Sequence, residues 1–567
     1  MPQYKPFLLK FRLSIAVVFI AALWVMASFG YSAAQIGGAS VLGALEQGRG
    51  GEGRLLDRVA MRGFYEHRGD APFWLASTGA GSKARVMLDR LENAWTHGLN
   101  PDRYHVATIR GLMDKRDEDS RLRLELLLSD AFMRYAQDLS GMRVSPEGMN
   151  IDPDSWRKTM APEAALALLA GGSNIDTILK TVEPQGKTYR LLRAELTRLM
   201  QEPPAAYEAV LPITMNGIMR PGWSHKTIAA IRTRLGVQPQ TDNVYLYDDR
   251  LAAAVMKFQR ENGLQDDGVI GSDTLHLLNR TKQDKILQII VNLERLRWVS
   301  EAKPERFVVV NIPAATLWAI DRGRVQFEMP VVVGNPGRRT QSFIAEITGV
   351  RFNPDWTIPP TIKRYDILPK ILAEPDYLQG KGIELVSGYG HEAVTVDPNS
   401  IDWENIPAKE LNALRMIQVP GEHNPLGHIR ILMPNKYNIY LHDTNHPELF
   451  NSQARAQSSG CIRLKDPEKM AAFVMNGQQG WALPMMQEIL QTGATTDLAI
   501  SRPIPVYVLY YTAWADAQGR VVYGNDIYRQ DPRLTARLSA IDGFAIPGHN
   551  VQENQGSAAP SRVSFLN

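Results

Sequence analysis

Near Arg306 the spacing of apolar residues changes, and that change limits the folds open to the chain. Before it, stretches such as ARVMLDRLENAWTHGL (84–99) and RLRLELLLSDAFMRYAQDLSGM (121–142) repeat apolar residues at three- and four-residue intervals. That period gives a helix one buried face, and Gly98, Asn100 and Pro101 close the first of these helices. After it, RFVVVNIPAATLWAI (306–320), VQFEMPVVVGNP (325–336), HIRILMP (428–434) and PIPVYVLYYTAWAD (503–516) alternate and are rich in Val, Ile, Tyr and Phe, as half-buried strands require. The chain is therefore expected to be a multidomain α+β protein. A helical scaffold is expected over 45–225 and a β-rich domain with its own core over 300–533. At 567 residues, length alone allows roughly three or four domains. Within the β-rich part, 354–418 is dense in proline and glycine and reads as a less regular insertion with one helix. An excursion that long is more often functional, for example a lid, than passive. From 534 to 567 the composition predicts a disordered tail.

Between these parts, 226–285 reads as a small three-helix unit. Leu251, Val255 and Phe258 line one helix face, Asn262-Gly263 stops that helix, and Asp266-Asp267-Gly268 turns the chain toward a helix capped near Ser272 or Asp273.

The first 35 residues carry Lys5, Lys10 and Arg12, then an apolar run from Leu13 to about Phe29, then small residues around Ala33. That is the layout of an export signal, either cleaved or kept as a single inner-membrane anchor. Export predicts a periplasmic location, soluble or anchored. A net charge of +3 shows no nucleic-acid footprint. There is one cysteine, Cys461. One thiol cannot make an internal disulfide, and a leftover thiol in an oxidising space is a liability unless its reactivity is needed.

The surroundings of Cys461 supply what a thiol nucleophile needs: a base, an oxyanion donor set and access. In NIYLHDT, His442 ends an apolar strand 19 residues before Cys461. In SSGC, Ser459 and Gly460 form a tight turn that could aim the amides of Gly460 and Cys461 at a developing oxyanion. A helix is expected to start at Asp466-Pro467. Arg463 is a candidate for carboxylate recognition or for a surface ion pair. His442 and His446 have metal-like spacing, but no glutamate follows the first and a turn separates them; His423 and His428 match no ligand spacing. No metal or cofactor is called for.

These residues resemble known families. FQRENGLQDDGVIGSDT (258–274), with Phe258, Gln259, Gly263, Leu264, Asp267, Gly268, Gly271 and Thr274 in place, looks like a peptidoglycan-binding type 1 domain. YLHDT followed by SSGCIRL resembles the signature of the L,D-transpeptidase (YkuD-type) catalytic domain. The order of scaffold, peptidoglycan-binding-like domain and catalytic domain with a capping insertion is similar to the large Gram-negative L,D-transpeptidases. Many members have histidine before the Gly-Cys pair; here that residue is Ser459, so His442 must serve alone, its other ring nitrogen held by a backbone carbonyl. The resemblance implies Cys461 as nucleophile, His442 as base, and Arg463, Tyr440 and Trp356 as substrate contacts. It implies peptidoglycan stem tetrapeptides as donor and acceptor, a thioester intermediate, a 3-3 cross-link, and a functional link to peptidoglycan synthases and D,D-carboxypeptidases. The same site would also suit an L,D-carboxypeptidase or an enzyme attaching protein to peptidoglycan. A non-catalytic wall-binding scaffold is the reading from another class.

Overall fold

The computed structural model describes residues 40–48, 57–77, 79–171, 174–203, 206–262, 264–300, 303–452 and 454–543. The expected export segment, Gly263 and the end of the expected tail lie outside them. Among the described residues no helix is long and apolar enough to cross a membrane.

The chain forms two compact units, one drawn from residues up to Asp89, His105–Arg134 and Pro162–Ile175, the other from the remainder. The first is helical. Its helix Arg58–His67 starts at Asp57, whose carboxylate accepts from the amides of Val59 and Ala60, satisfying donors that a helix start leaves unpaired. Buried Glu125, on helix Glu118–Ser140, accepts from the amides of Phe73 and Trp74 and from the Tyr65 hydroxyl. Its carboxyl ties the segment that leads into Leu75 to the helix. The helical region from 45 to 225 is thus divided between the units, and the chain passes from one to the other at five points, among them inside Ser82–Glu92, Glu118–Ser140 and Ile175–Val182.

In the second unit, helices Thr227–Leu235, Asp249–Glu261 and Ser272–Leu278 close on a core of Ile228, Ile231, Leu251, Val255, Ile270 and Leu278. The motif residues build this fold. Gln259 Nε2 donates to Asp267 Oδ1, the Val269 carbonyl and Thr274 Oγ1, while its Oε1 accepts from the Gly268 amide. Gly268 has φ +69°, which favours glycine.

The β-rich domain carries strands β1 (Arg306–Asn311), β2 (Thr316–Asp321), β3 (Arg324–Gly334) and β4 (Phe343–Phe352). After an excursion come β9 (Ile429–Leu432), β10 (Leu441–His442), β11 (Ala456–Ser458), β12 (Ile462–Leu464) and β13 (Thr496–Leu509). Their order is β11-β3-β12-β10-β9-β4-β13-β1-β2. The first half of β3 also pairs with β2, so the sheet closes on itself and leaves few open edges. Alternation sends Val308, Val310, Val350, Ile431, Leu441 and Ile462 into one core. On β1, Phe307 and Val309 pack instead on a second core with Trp156, Trp298, Leu534 and Leu538. Leu534 and Leu538 lie on helix Asp531–Asp542. Residues 534–543 are therefore packed rather than tail, because two leucines one helical turn apart give that segment an apolar stripe.

The excursion is more regular than its proline and glycine content suggests. Strands β5 (Trp356–Thr357), β6 (Ile383–Ser387), β7 (Val394–Thr395) and β8 (Arg415–Gln418) form a separate sheet in the order β5-β8-β6-β7. Short helices cover it, and Ile358, Ile367, Ile371, Leu378, Leu385, Leu411 and Met416 form its own core. Strands of two to five residues are too short to show a period in sequence. Buried Lys363 donates to the carbonyls of Leu411, Asn412 and Leu414, closing the end of helix Ala408–Ala413.

Candidate active site

Sheet register assembles the site. β10 and β12 pair in parallel, with Leu441 opposite Ile462 and His442 opposite Arg463. Leu441, Ile462 and Leu464 are fully buried in the core, so the alternating residues Tyr440, His442, Cys461 and Arg463 belong to the opposite face. On the next strand, Arg430 stands opposite His442 while Ile429 and Ile431 enter the core. Five chemically active side chains thus share one face of three short strands.

His442 is 3% exposed. Its Nδ1 lies 2.5 Å from the Asp443 carbonyl oxygen, an acceptor only, so Nδ1 carries the hydrogen and Nε2 keeps its lone pair. This is the backbone carbonyl expected from sequence. Burial, then repulsion from Arg463, pushes the imidazole down to about 3. Burial pushes the Cys461 thiol up, against the opposing pull of the Tyr440 amide and the Arg430 and Arg463 guanidiniums. Cys461 Sγ donates to the Asn438 carbonyl at 3.7 Å. At neutral pH the resting pair is a neutral thiol and a neutral imidazole.

The turn before Cys461 is held from both sides. Gly460 has φ +113°, and a Cβ there would meet its nearest atoms at 3.6 and 3.7 Å, so backbone conformation, not space, selects glycine. Ser458 Oγ donates to the Cys461 carbonyl at 2.5 Å and accepts from the Gly460 amide at 3.1 Å. That contact corrects the expected oxyanion pair: the Gly460 amide is committed within the turn. Thr340 Oγ1 donates to the Gly460 carbonyl at 2.8 Å and accepts from the Gly334 amide. Ser459 Oγ accepts from Arg338 Nη1 at 3.0 Å. Ser458 stands in the SSGC motif but was given no role there, and Thr340 and Arg338 were given none either; proximity in the fold reveals what the three do.

The other candidates separate. Arg463 Nη1 donates to Thr444 Oγ1 at 3.3 Å, and among the described residues it makes no ion pair, while burial lowers its pKa. Arg430 places its guanidinium 3.7 Å from the Tyr440 ring centroid, a cation–π contact, and its Nε is buried without a partner. Trp356 packs against the core of the excursion. His446 pairs with Glu448 at 2.9 Å. Asp443 accepts from the amides of His428 and Thr444. A Cβ on Gly427 would fall 2.3 Å from the Asp443 carboxylate, which fixes that glycine by space.

Three parts of the chain match known families. Residues 305–487 match the L,D-transpeptidase catalytic domain (YkuD), residues 233–278 a domain described provisionally as peptidoglycan binding, and residues 59–196 a scaffold domain. A curated protein of Haemophilus influenzae, provisionally named an L,D-transpeptidase, is 33% identical over 255 residues, which is 45% of this chain and 50% of that protein. The chain spans about half the length of the curated relative it matches. Two solved structures are similar to it. An L,D-transpeptidase from Mycobacterium smegmatis has 14% identity, a TM-score of 0.18, and coverage of 36% of this chain and 58% of that one. An L,D-transpeptidase from Xylanimonas cellulosilytica has 13% identity, a TM-score of 0.17, and coverage of 52% and 99%.

Proposed function

We propose that this chain, which carries an L,D-transpeptidase catalytic domain beside peptidoglycan-binding and scaffold domains, joins peptidoglycan stem peptides through a thioester on Cys461, outside the cytoplasm. The observation that carries the reading is the register that puts Cys461 and His442 on one sheet face, with His442 Nδ1 tied to a backbone carbonyl. A neutral imidazole is a base at rest. As sulfur attacks the donor carbonyl, His442 Nε2 takes the thiol proton; the S–C bond forms, the C–N bond to the terminal D-alanine breaks, and the amine leaves with that proton. Arg430 and Arg463 favour the sulfur anion as it develops. With the Gly460 amide committed, the Cys461 amide remains as the donor of the expected pair. An acceptor amine then attacks the thioester and gives its proton to His442; the new C–N bond forms, the C–S bond breaks, and His442 returns the proton to the leaving sulfur.

Arg463, a half-buried cation without a carboxylate partner, suits a stem carboxylate. The periplasm fits the N-terminal sequence pattern and the wall-directed chemistry. In the L,D-carboxypeptidase reading, water resolves the same thioester.

The test is intact-protein mass spectrometry after incubation with a disaccharide-tetrapeptide, comparing the wild type with Cys461→Ala and analysing released products. An adduct on the wild type alone, with cross-linked dimer in solution, is the expected outcome. An adduct with only tripeptide would favour the carboxypeptidase, and no adduct would remove the reading.

A further inference from the structure

The excursion from β5 to β8 has its own sheet and core, and it joins the large sheet through a neck near 353–355 and 419–428. A body built in this way can hinge as a unit. Away from the neck, one polar side-chain tie between it and the rest of the β-rich domain is found among the described residues. Arg338 Nη1 donates to Asp366 Oδ2 at 2.5 Å and Nη2 to Asp366 Oδ1 at 3.2 Å, a two-point fork that fixes direction as well as distance. Asp366 lies on the π-helical turn Lys363–Ile367, an irregularity frequent at functional sites.

The other end of the fork reaches the catalytic turn. Arg338 Nη1 also donates to Ser459 Oγ, two residues before Cys461. The backbone that carries Arg338 is the loop between β3 and β4, and this loop cradles that turn. The Asn335 amide donates to the Ser458 carbonyl, and Thr340 Oγ1 donates to the Gly460 carbonyl. One guanidinium therefore touches the excursion and the residue beside the Gly-Cys pair. Both partners are partly open to solvent, with 31% and 40% of their side chains exposed, and pairs this exposed are weakly held. Such a contact can open and re-form at each turnover.

Resting on the transpeptidase reading above, we propose that Arg338 is a positioning residue, a clasp that holds the excursion closed through Asp366 and couples closure to the Ser459–Cys461 turn, so that an amine rather than water resolves the thioester. A thioester open to water is hydrolysed, and closure of a cap keeps water out while an acceptor is seated.

The experiment uses the full chain and three variants: Arg338→Asp, Asp366→Arg and the double exchange. Two quantities are read: the rate of Cys461 alkylation by iodoacetamide, and the ratio of cross-linked dimer to tripeptide formed from disaccharide-tetrapeptide. Each single exchange is expected to raise alkylation and lower the dimer ratio, by about two- to fivefold, the change that losing an exposed pair of this kind allows. The double exchange restores a pair of the same charges, and it should bring both quantities back toward the wild type. A purely structural loss would not be rescued in that way. If a single exchange fails to fold, Arg338→Gln carries the same expectation without reversing charge. Unchanged alkylation and product ratio in folded single variants would overturn the clasp, as would a folded double exchange no closer to the wild type than its parents. If the wild type forms neither adduct nor product, the transpeptidase reading fails, and the alkylation rates still decide whether the clasp exists.

Discussion

Two places in the second unit use the same chemistry, arginine against carboxylate, to opposite ends. Around Glu294, which is fully buried, Arg143 Nε and Arg297 Nη1 donate to one carboxylate oxygen at 2.9 and 2.7 Å, while the Arg143 amide and Trp298 Nε1 donate to the other. Arg143 Nη1 continues to Asp542 at 2.8 Å. Two buried cations thus meet two buried anions, and helix Lys282–Arg297, helix Asp531–Asp542 and the segment after Gly141 are joined. At Arg338–Asp366 the geometry is as good, yet 31% and 40% of the two side chains meet water. A buried charge that loses its partner cannot turn to solvent, and an exposed one can. The first arrangement therefore acts as a staple and the second as a clasp.

The largest effect should come from cutting the staple. Glu294→Ala leaves Arg297 buried without its carboxylate and Arg143 with its bonds to Asp542, and it is expected to cost about 3–5 kcal/mol in urea unfolding. A loss under about 1 kcal/mol would mean that water reaches the cluster, and the contrast with the clasp would collapse. The two flanking arginines outweigh burial and hold the Glu294 carboxyl below the usual carboxylate range. Its contribution is full above the unfolded value near 4.3 and fades as pH falls through the lower folded value. Burial and Asp138 raise Asp542, so its contribution is present at low pH, lost as pH rises, and opposes that of Glu294. Glu294→Gln should flatten the acid limb of stability against pH.

A second buried titratable group sharpens the comparison, because it sits at the candidate site and has no carboxylate partner among the described residues. His442 is pushed down to about 3, against about 6.5 when unfolded. Between those values the unfolded chain binds a proton that the folded chain refuses, so stability falls as pH drops below about 6.5. The expected loss from pH 6.5 to pH 5 is about 2 kcal/mol, and it should shrink in His442→Gln. An equal slope in both proteins would show that His442 protonates in place. Next in size, Thr340→Val removes the hydroxyl between the Gly334 amide and the Gly460 carbonyl, leaving buried polar groups unpaired at a cost of about 1–3 kcal/mol. Gly460→Ala is strained by φ rather than by contact, and it tests the same turn from its other side.

What sequence could and could not say follows the same division. The apolar spacing that ends at His442 is local, so that strand was legible; the three-residue strand Ile462–Leu464, which follows Cys461 and carries Arg463, is too short to show a period and was not, and the backbone carbonyl behind His442 came with the family resemblance. The partners of these residues were not legible. Thr340 lies 120 residues from Gly460 and Arg338 lies 28 from Asp366, and neither pair leaves a pattern. Ser458 looked like half of a polar pair, although its hydroxyl takes the amide that had been assigned to an oxyanion. In FQ…DG…T, the residues that marked a binding module are occupied in holding one another, so the motif speaks first for its fold. Helix Lys282–Arg297 drew no reading from sequence, and Glu294 and Arg297, at i and i+3 on its buried side, show that charge was taken inside there.

The smallest effect should belong to the clasp, and its smallness is the point. Arg338→Gln removes the charge and the fork but keeps a donor near Ser459, and the freed Asp366 carboxylate can turn to water. Exposed pairs of this kind are worth about 0–1 kcal/mol, so the urea midpoint should move little, while Glu294→Gln measured beside it moves far more. If instead Arg338→Gln costs as much as the buried substitution, the excursion is bound to the sheet as firmly as the helices are to one another. Exposure would then no longer separate the two arrangements, and a cap that opens at each turnover would have no weak point at which to open.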